Sequence, residues 1–174
     1  ASDMPANMAE HWAALEASFV PSHQDSRVRD DGDVDTAMLE GEAVTADYRA
    51  PYLAHAPLEP VSATVLVSDA RVDVWTGTQI PRFVQATVAK IAGLDADAVH
   101  VHVLMMGGSF GHRLEFEHIK QAAEIANQMR GTPVKLTYRR EEDFAHDFPR
   151  HIAMGRMRGK VADGKVEALD LSIA

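Results

Sequence analysis

The sequence contains no cysteine among its 174 residues. This absence excludes disulfide bonds, thiol nucleophiles and iron–sulfur clusters held by cysteines of this chain. Long apolar runs are absent too, since none approaches the roughly 20 residues of a membrane-spanning helix. The opening residues, ASDMPANM, contain neither a signal-peptide pattern nor an initiator methionine, so we expect a processed or cut chain.

Positive charge is scarce, because 17 basic residues face 26 acidic ones and give a formal net charge of −9. Non-specific nucleic-acid binding depends on a basic surface, so we expect no nucleic-acid partner. The same balance argues against an anionic membrane surface as partner. The chain is 46% hydrophobic, which is enough for a core, and its length suits one domain or one piece of a larger protein.

The hydrophobic patterning predicts an α+β fold of mixed sheets with packed helices. We expect an N-terminal part, residues 1–41, made of a helix within 5–20 and an acidic loop, and an α+β domain over 42–174. Within the latter, ATVLVS and RVDVWTG read as paired strands, and IPRFVQATVAKIAGL as a helix ending at Gly93. A strand over 99–105, a helix over about 114–130, a strand in PVKLTYR and a hairpin turning at Asp163-Gly164 complete the prediction.

The acidic loop, residues 21–35, places Asp31, Asp33 and Asp35 at alternate positions. This alternation resembles the start of an EF-hand calcium loop, which requires glycine at its sixth position. That position is Thr36. The sequence therefore predicts a solvated loop.

A glycine-rich loop, MGGSFG at residues 106–111, joins the predicted strand to the helix that follows. Glycines allow positive φ angles and close approach of a ligand to backbone N–H groups, and a helix N-terminus favours anions. The spacing matches neither G-x-G-x-x-G nor a P-loop, so it argues against a dinucleotide or ATP site. A tight turn with Phe110 packed in the core remains the alternative.

Other polar residues carry weaker signals. Gln79 ends a predicted strand before a helix, where its amide can donate and accept, although an ordinary strand exit is the alternative. His55 and Glu59 lie in a proline-bounded segment, and Glu59 reads as a structural anchor more readily than as a base. The nine histidines are scattered, without an HExxH motif, so we predict no metal bound directly by the protein. No Ser-His-Asp arrangement or G-x-S-x-G elbow stands out.

Four motifs occur in order over about residues 42–160: YRAPYLAHAPLEPVSATV, DVWTGTQIP, VHVLMMGGSFGHR and GTPVKLTYRREEDFAHDF. With these motifs the chain resembles the molybdenum-binding subunit of the xanthine dehydrogenase and aldehyde oxidase family, in the isoquinoline 1-oxidoreductase-type branch. The resemblance implies a molybdopterin-binding α+β domain and a molybdenum-loaded molybdopterin, in its cytosine dinucleotide form. It also implies hydroxylation of aldehydes or N-heteroaromatic rings with oxygen from water, and transfer of the electrons to an iron–sulfur subunit or domain.

Carried over residue by residue, the resemblance implies that Gln79 approaches the molybdenum ligands. It implies that the cofactor is bound by the glycine loop and the residues after it: Gly108, Ser109, Phe110, Gly111, His112 and Arg113. Two positions depart from the family, since Ser109 stands where glycine is common and His112 where this branch commonly has arginine. Both departures put the cofactor contacts in doubt.

Family chains are several hundred residues longer, and their catalytic glutamate lies in sequence without a counterpart here. We therefore expect a portion of the large subunit that is inactive in isolation, with the remaining portion as a partner and possible self-association. The alternatives are a non-catalytic binding or assembly module and an unrelated nucleotide-phosphate-binding protein. The resemblance leaves the substrate open, and the compartment open between cytoplasm and periplasm.

Overall fold

The chain forms two structural units, each built around its own β-sheet. The computed structural model describes residues 5–24, 26–39 and 41–174. The terminal unit comprises Ala1–Leu53 and His151–Ala174, and the central unit comprises Ala54–Arg150. The predicted division into residues 1–41 and 42–174 stays a prediction. Its N-terminal part is described incompletely, since residues 1–4, Asp25 and Glu40 lie outside the described residues.

The sheet of the terminal unit has the strand order β1-β6-β7, with both pairings antiparallel. Its strands are β1 (Ala43–Ala50), β6 (Ala153–Ala162) and β7 (Lys165–Ile173). Asp163 and Gly164 connect β6 to β7 with φ angles of 50° and 72°. Positive φ at both central residues is typical of a type I′ hairpin turn, so the predicted hairpin is confirmed.

Two helices belong to the terminal unit. Helix α1 (Met8–Ala17) is shorter than the predicted segment and buries none of its residues, although Trp12 receives Arg49 over its ring at 5.4 Å. Helix α2 (Val34–Met38) begins where the Asp33 side chain accepts a hydrogen bond from the Thr36 amide. The acidic alternation of this segment thus includes a helix cap.

The central unit contains a mixed four-stranded sheet with the order β4-β3-β2-β5. Its strands are β2 (Ser62–Val67), β3 (Val72–Thr76), β4 (Val99–Val103) and β5 (Val134–Thr137). The predicted β2–β3 pair is confirmed as antiparallel, and β5 joins the other side of β2. Strand β4 runs parallel to β3, because helix α3 (Pro81–Ala92) returns the chain to the same end of the sheet.

Helices α3 and α4 (Glu117–Gln128) cover this sheet. Gly93 ends α3 in the left-handed conformation, as predicted, with φ 69°. The core combines valines that alternate along the strands with small and branched residues of both helices. It includes Val65, Val67, Val72, Val74, Val84, Val88, Ile119, Ala122, Ala123 and Ala126. Helix α5 (Arg140–Ala145) follows β5 and completes the unit.

The connection between β4 and α4 differs from the sequence prediction. Strand β4 ends at Val103, two residues early, since it is an edge strand whose burial falls from Val99 to Val103. Helix α4 begins at Glu117, and a single 3-10 turn, His112–Leu114, precedes it. The glycine loop is therefore separated from the helix N-terminus, so the α4 dipole acts on it less directly than predicted. Among the described residues, no helix combines the length and apolarity needed to cross a bilayer.

Candidate functional site

The glycine loop, residues 107–111, follows β4 in an unusual backbone conformation. Gly108, Phe110 and Gly111 have φ angles of 104°, 58° and 110°. Positive φ at a phenylalanine is uncommon, and here the ring is 77% exposed. The alternative in which Phe110 packs in the core is therefore wrong. A strained, exposed aromatic residue between two glycines is more typical of a ligand-binding loop than of a simple connection.

The backbone amides of this loop offer unused donors. Among the described residues, four consecutive backbone N–H groups have no hydrogen-bond acceptor: those of Gly108, Ser109, Phe110 and Gly111. The loop needs glycine for this conformation, because an added Cβ at Gly108 would lie 3.2 Å from the Phe110 ring and 3.4 Å from Pro57. Consecutive free amides form a concave donor surface that suits an anion.

A buried arginine and a glutamate hold the base of the loop. The Gly107 amide donates to Glu59 Oε2 at 2.8 Å, and Arg113 Nη2 donates to the same oxygen at 3.1 Å and to the Glu59 carbonyl at 2.9 Å. Arg113 is 1% exposed, and burial lowers the pKa of its guanidinium, against the effect of Glu59 and Asp143. Glu59 thus has the contacts of an anchor, the interpretation that the sequence favoured.

Gln79 lies beside the loop and is exposed. Its side-chain oxygen accepts a hydrogen bond from the Ser109 hydroxyl, and that hydroxyl oxygen accepts from the Arg113 amide. The backbone N–H of Gln79 donates to the backbone carbonyl of Arg113 at 3.0 Å. Two predicted site residues, Gln79 and Ser109, are therefore joined directly at the surface.

Behind the loop, His112 is buried among carboxylates. Its Nε2 lies 3.0 Å from Asp143 Oδ1, and its Nδ1 lies 3.1 Å from Asp147 Oδ1 and 3.3 Å from Glu115 Oε2. Burial raises the pKa of the Glu115 carboxyl, although the Phe148 amide and His112 oppose this. Burial also favours a higher pKa for Asp147, but hydrogen bonds from His55 outweigh it and hold that pKa below its ordinary value.

His118, in the first turn of α4, is 2% exposed, and its Nε2 has no hydrogen-bond partner among the described residues. Burial, reinforced by the positive charges of Arg113 and His112, lowers its pKa from 6.5 to about 4. The imidazole is therefore neutral at physiological pH.

The chain is similar to a known protein family over most of its length. A family model for the molybdopterin cofactor-binding domain matches residues 19–174. The chain belongs to this family. The recognition predicted from the four motifs and the α+β class of mixed sheets with packed helices are both confirmed.

Individual relatives agree with this membership. The chain is 34% identical over 122 residues to the isoquinoline 1-oxidoreductase subunit beta of Brevundimonas diminuta, an alignment covering 68% of this chain and 16% of the relative. It is 25% identical over 169 residues to the xanthine dehydrogenase molybdenum-binding subunit of Escherichia coli O157:H7, covering 92% and 22%. The chain thus spans about a fifth of these relatives' length.

The fold of the molybdopterin cofactor-binding domain also appears among solved structures. The crystal structure of quinoline 2-oxidoreductase from Pseudomonas putida 86 matches with a TM-score of 0.63 at 21% identity. The match covers 80% of this chain and 18% of that chain. At this identity the likeness shows the fold alone.

The residues of this domain fit an anionic cofactor at the glycine loop. The exposed Gln79 is hydrogen-bonded to Ser109, which lies within the run of residues whose backbone amides are free. The side chains of His112 and Arg113 are 3% and 1% exposed and lie behind the loop. Their predicted cofactor contacts stay a prediction, and their observed contacts support the loop from within.

Sequence reasoning missed the residues that surround His112. His55, Glu115 and Asp147 come from three separate segments of the central unit, and Asp143 from helix α5. The four motifs contain His55, Asp143 and Asp147 but not Glu115, and their spacing carries no sign that these residues converge. Only the departure at His112 pointed to this place.

Proposed function

We propose that the chain is the part of a molybdenum hydroxylase large subunit that binds one side of molybdopterin. The observation that carries the proposal is the glycine loop with its free backbone amides, in a chain whose family is the molybdopterin cofactor-binding domain. Molybdopterin carries a phosphate, and backbone N–H groups in a concave loop bind such anionic groups well.

Each loop residue has a separate part in this proposal. Gly108 and Gly111 hold the loop in its conformation, since a Cβ at Gly108 would lie 3.2 Å from the Phe110 ring and one at Gly111 would lie 3.0 Å from His55 Nε2. Gln79 presents an amide that both donates and accepts, and Ser109 fixes its orientation through their hydrogen bond. The exposed ring of Phe110 is free to pack on the bound cofactor, where it would exclude water.

We assign to the whole protein the hydroxylation of an aldehyde or an N-heteroaromatic compound with oxygen derived from water. When bound, the molybdenum cofactor supplies the two-electron oxidation. The cofactor form that we propose is the cytosine dinucleotide, and an iron–sulfur subunit or domain accepts the electrons. Among the curated relatives, an isoquinoline 1-oxidoreductase subunit and a xanthine dehydrogenase subunit carry names that agree with this reaction class.

The isolated chain is expected to bind the cofactor without turnover, because the family's catalytic glutamate has no counterpart in its sequence. A non-catalytic binding or assembly module is the second candidate. One observation favours it: the Ser109 hydroxyl already occupies the side-chain oxygen of Gln79, a residue expected at the metal centre.

The test is cofactor content. The chain is produced in a bacterium that makes molybdopterin cytosine dinucleotide, and molybdenum and pterin are measured per purified chain. We expect close to one of each, and no oxidation of benzaldehyde or quinoline. The Gly108→Val variant should retain at least 10-fold less pterin, because a branched side chain would press on Phe110 and Pro57 and distort the loop.

Gly131→Val is the matched control, since Gly131 also has a positive φ, 83°, but an added Cβ there meets nothing within 4 Å. Both variants place a side chain at positive φ, at a cost of about 1–3 kcal/mol, but only the one at Gly108 also meets Phe110 and Pro57, so circular dichroism checks that each variant folds before cofactor contents are compared. A wild-type chain without pterin would favour the assembly module. Tight binding of ATP in its place would favour a simple nucleotide site.

A further inference from the structure

Four potential metal ligands converge in the central unit. His55, His112, Glu115 and Asp147 each offer one ligand atom, and these atoms lie within 4.8 Å of one another. His55 Nδ1 is 2.7 Å from Asp147 Oδ1, and His112 Nδ1 is 3.1 Å from that same oxygen. The four residues span 92 positions of the sequence, from His55 to Asp147, so tertiary folding assembles the cluster.

The imidazole of His112 faces carboxylates from both of its nitrogens. Its Nε2 lies 3.0 Å from Asp143 Oδ1, a carboxylate that only accepts hydrogen bonds, so Nε2 carries a proton. Nδ1 faces oxygens of Asp147 and Glu115, at 3.1 Å and 3.3 Å. Nδ1 is buried and has no hydrogen-bond partner among the described residues. A bare Nδ1 facing two carboxylates is repulsive unless a proton or a metal cation lies between them, and the convergence of four potential ligand atoms favours the metal cation.

The outer contacts orient every carboxylate toward this point. Asp147 Oδ2 accepts the His55 amide at 2.8 Å, and Glu115 Oε1 accepts the Phe148 amide at 3.2 Å. Each residue thereby keeps its other oxygen for the cluster. The Asp143–His112 contact has the form of the carboxylate–histidine pair that fixes the tautomer of metal-binding histidines in proteins.

The spacing suits a small tetrahedral cation. With bonds of about 2.0–2.2 Å, the ligand atoms of a tetrahedral zinc site lie about 3.3–3.6 Å apart. The separations from His112 Nδ1 to the two carboxylates, 3.1 Å and 3.3 Å, lie near this range, and the 2.7 Å hydrogen bond between His55 Nδ1 and Asp147 Oδ1 has to open as the cation enters. Two neutral imidazoles and two carboxylates carry a charge of −2, which a divalent cation neutralises, and imidazole ligands favour zinc over magnesium or calcium.

We propose that His55, His112, Glu115 and Asp147 form a structural zinc-type site. Four protein ligands close the coordination sphere, as in structural zinc sites. The cation joins the segment before β2, the turn after the glycine loop and the segment after α5, so it fixes the exit of the loop. This inference is independent of the cofactor proposed above, because it concerns only residues behind the loop.

The test uses the purified chain, freed of metal with a chelator and then titrated with zinc(II) or cobalt(II) chloride. We expect one equivalent to bind, with release of protons and with the visible absorption of tetrahedral cobalt(II). Zinc should also raise the midpoint of thermal unfolding, because it binds the folded state. His112→Gln and Asp147→Asn should each weaken zinc binding at least 100-fold, and Asp143→Asn about 10–100-fold through lost orientation.

His102→Gln is the control, because His102 also pairs with a carboxylate, Asp73, at 2.7 Å, but in an exposed position without further ligands. This variant should bind zinc as the wild type does. Circular dichroism checks that each variant folds. The proposal is overturned if the folded wild type binds no equivalent of zinc or cobalt. It is also overturned if ¹⁵N NMR of that metal-free chain shows His112 protonated at both nitrogens while added zinc leaves its signals unchanged.

Discussion

Asp143→Ala is expected to lower the free energy of unfolding of the central unit by about 3–5 kcal/mol, the range found when one partner of a buried ion pair is removed. Asp143 is 1% exposed. Its Oδ1 accepts from the Val61 amide at 3.2 Å and lies 3.0 Å from His112 Nε2, and its Oδ2 accepts from Arg140 at 2.9 Å. Alanine leaves all three donors without this acceptor.

Urea unfolding followed by tryptophan fluorescence measures this loss. The chain has two tryptophans, and a Trp12→Phe background leaves Trp75, on β3, as the reporter of the central unit. Asp143→Asn should lose less, because its amide oxygen still accepts. Asp69→Ala is the control, since the Asp69 side chain is fully exposed and its ion pair with Arg130 is long, at 3.7 Å. This variant should change the free energy of unfolding by at most about 0.5 kcal/mol. A loss below about 1 kcal/mol for Asp143→Ala would show that the buried contacts of this carboxylate do not stabilise the central unit.

His118 should make the folded state sensitive to mild acid. Its pKa falls from 6.5 to about 4 on folding, mainly through burial. Above pH 6.5 neither state binds this proton, so the contribution is constant. As the pH falls from 6.5 to 4, the unfolded chain binds the proton and the folded chain does not, so stability decreases. At about 1.36 kcal/mol per pKa unit, the full effect is about 3 kcal/mol.

The measurement is the free energy of unfolding between pH 7 and pH 4 for wild type and His118→Phe. The difference between the two profiles should be flat above pH 6.5 and should then favour the variant progressively at lower pH. His100→Gln, at an exposed position of β4, should follow the wild type. Parallel profiles for wild type and His118→Phe would show that His118 gains its proton equally in both states.

The local parts of the fold were predictable because their signals lie within short segments. The β2–β3 pair, helix α3 with its Gly93 end and the Asp163-Gly164 turn follow from alternation, helical periodicity and turn residues. The pairing of β1 with β6 joins residues more than 100 positions apart. The alternation of residues within one strand does not predict which other strand pairs with it.

The candidate site divides in the same way. Glycines at 108 and 111 marked the loop, because only backbone conformations of positive φ need them there. The exposure of Phe110 could not be predicted, since an aromatic residue next to an apolar strand usually packs inward. The cluster around His112 could not be predicted either, because its members are ordinary polar residues until the fold brings them together.

Amide hydrogen–deuterium exchange reads the backbone donors of the glycine loop that are proposed to bind molybdopterin. The chain is compared with and without bound molybdopterin, and the peptides covering residues 107–113 are followed, with the 162–165 turn as an internal control. We expect the amides of Gly108–Gly111 to exchange more slowly in the cofactor-bound chain than in the free chain, and the control turn to exchange at the same rate in both. Cofactor bound at full occupancy with unchanged exchange in the loop would contradict this proposal.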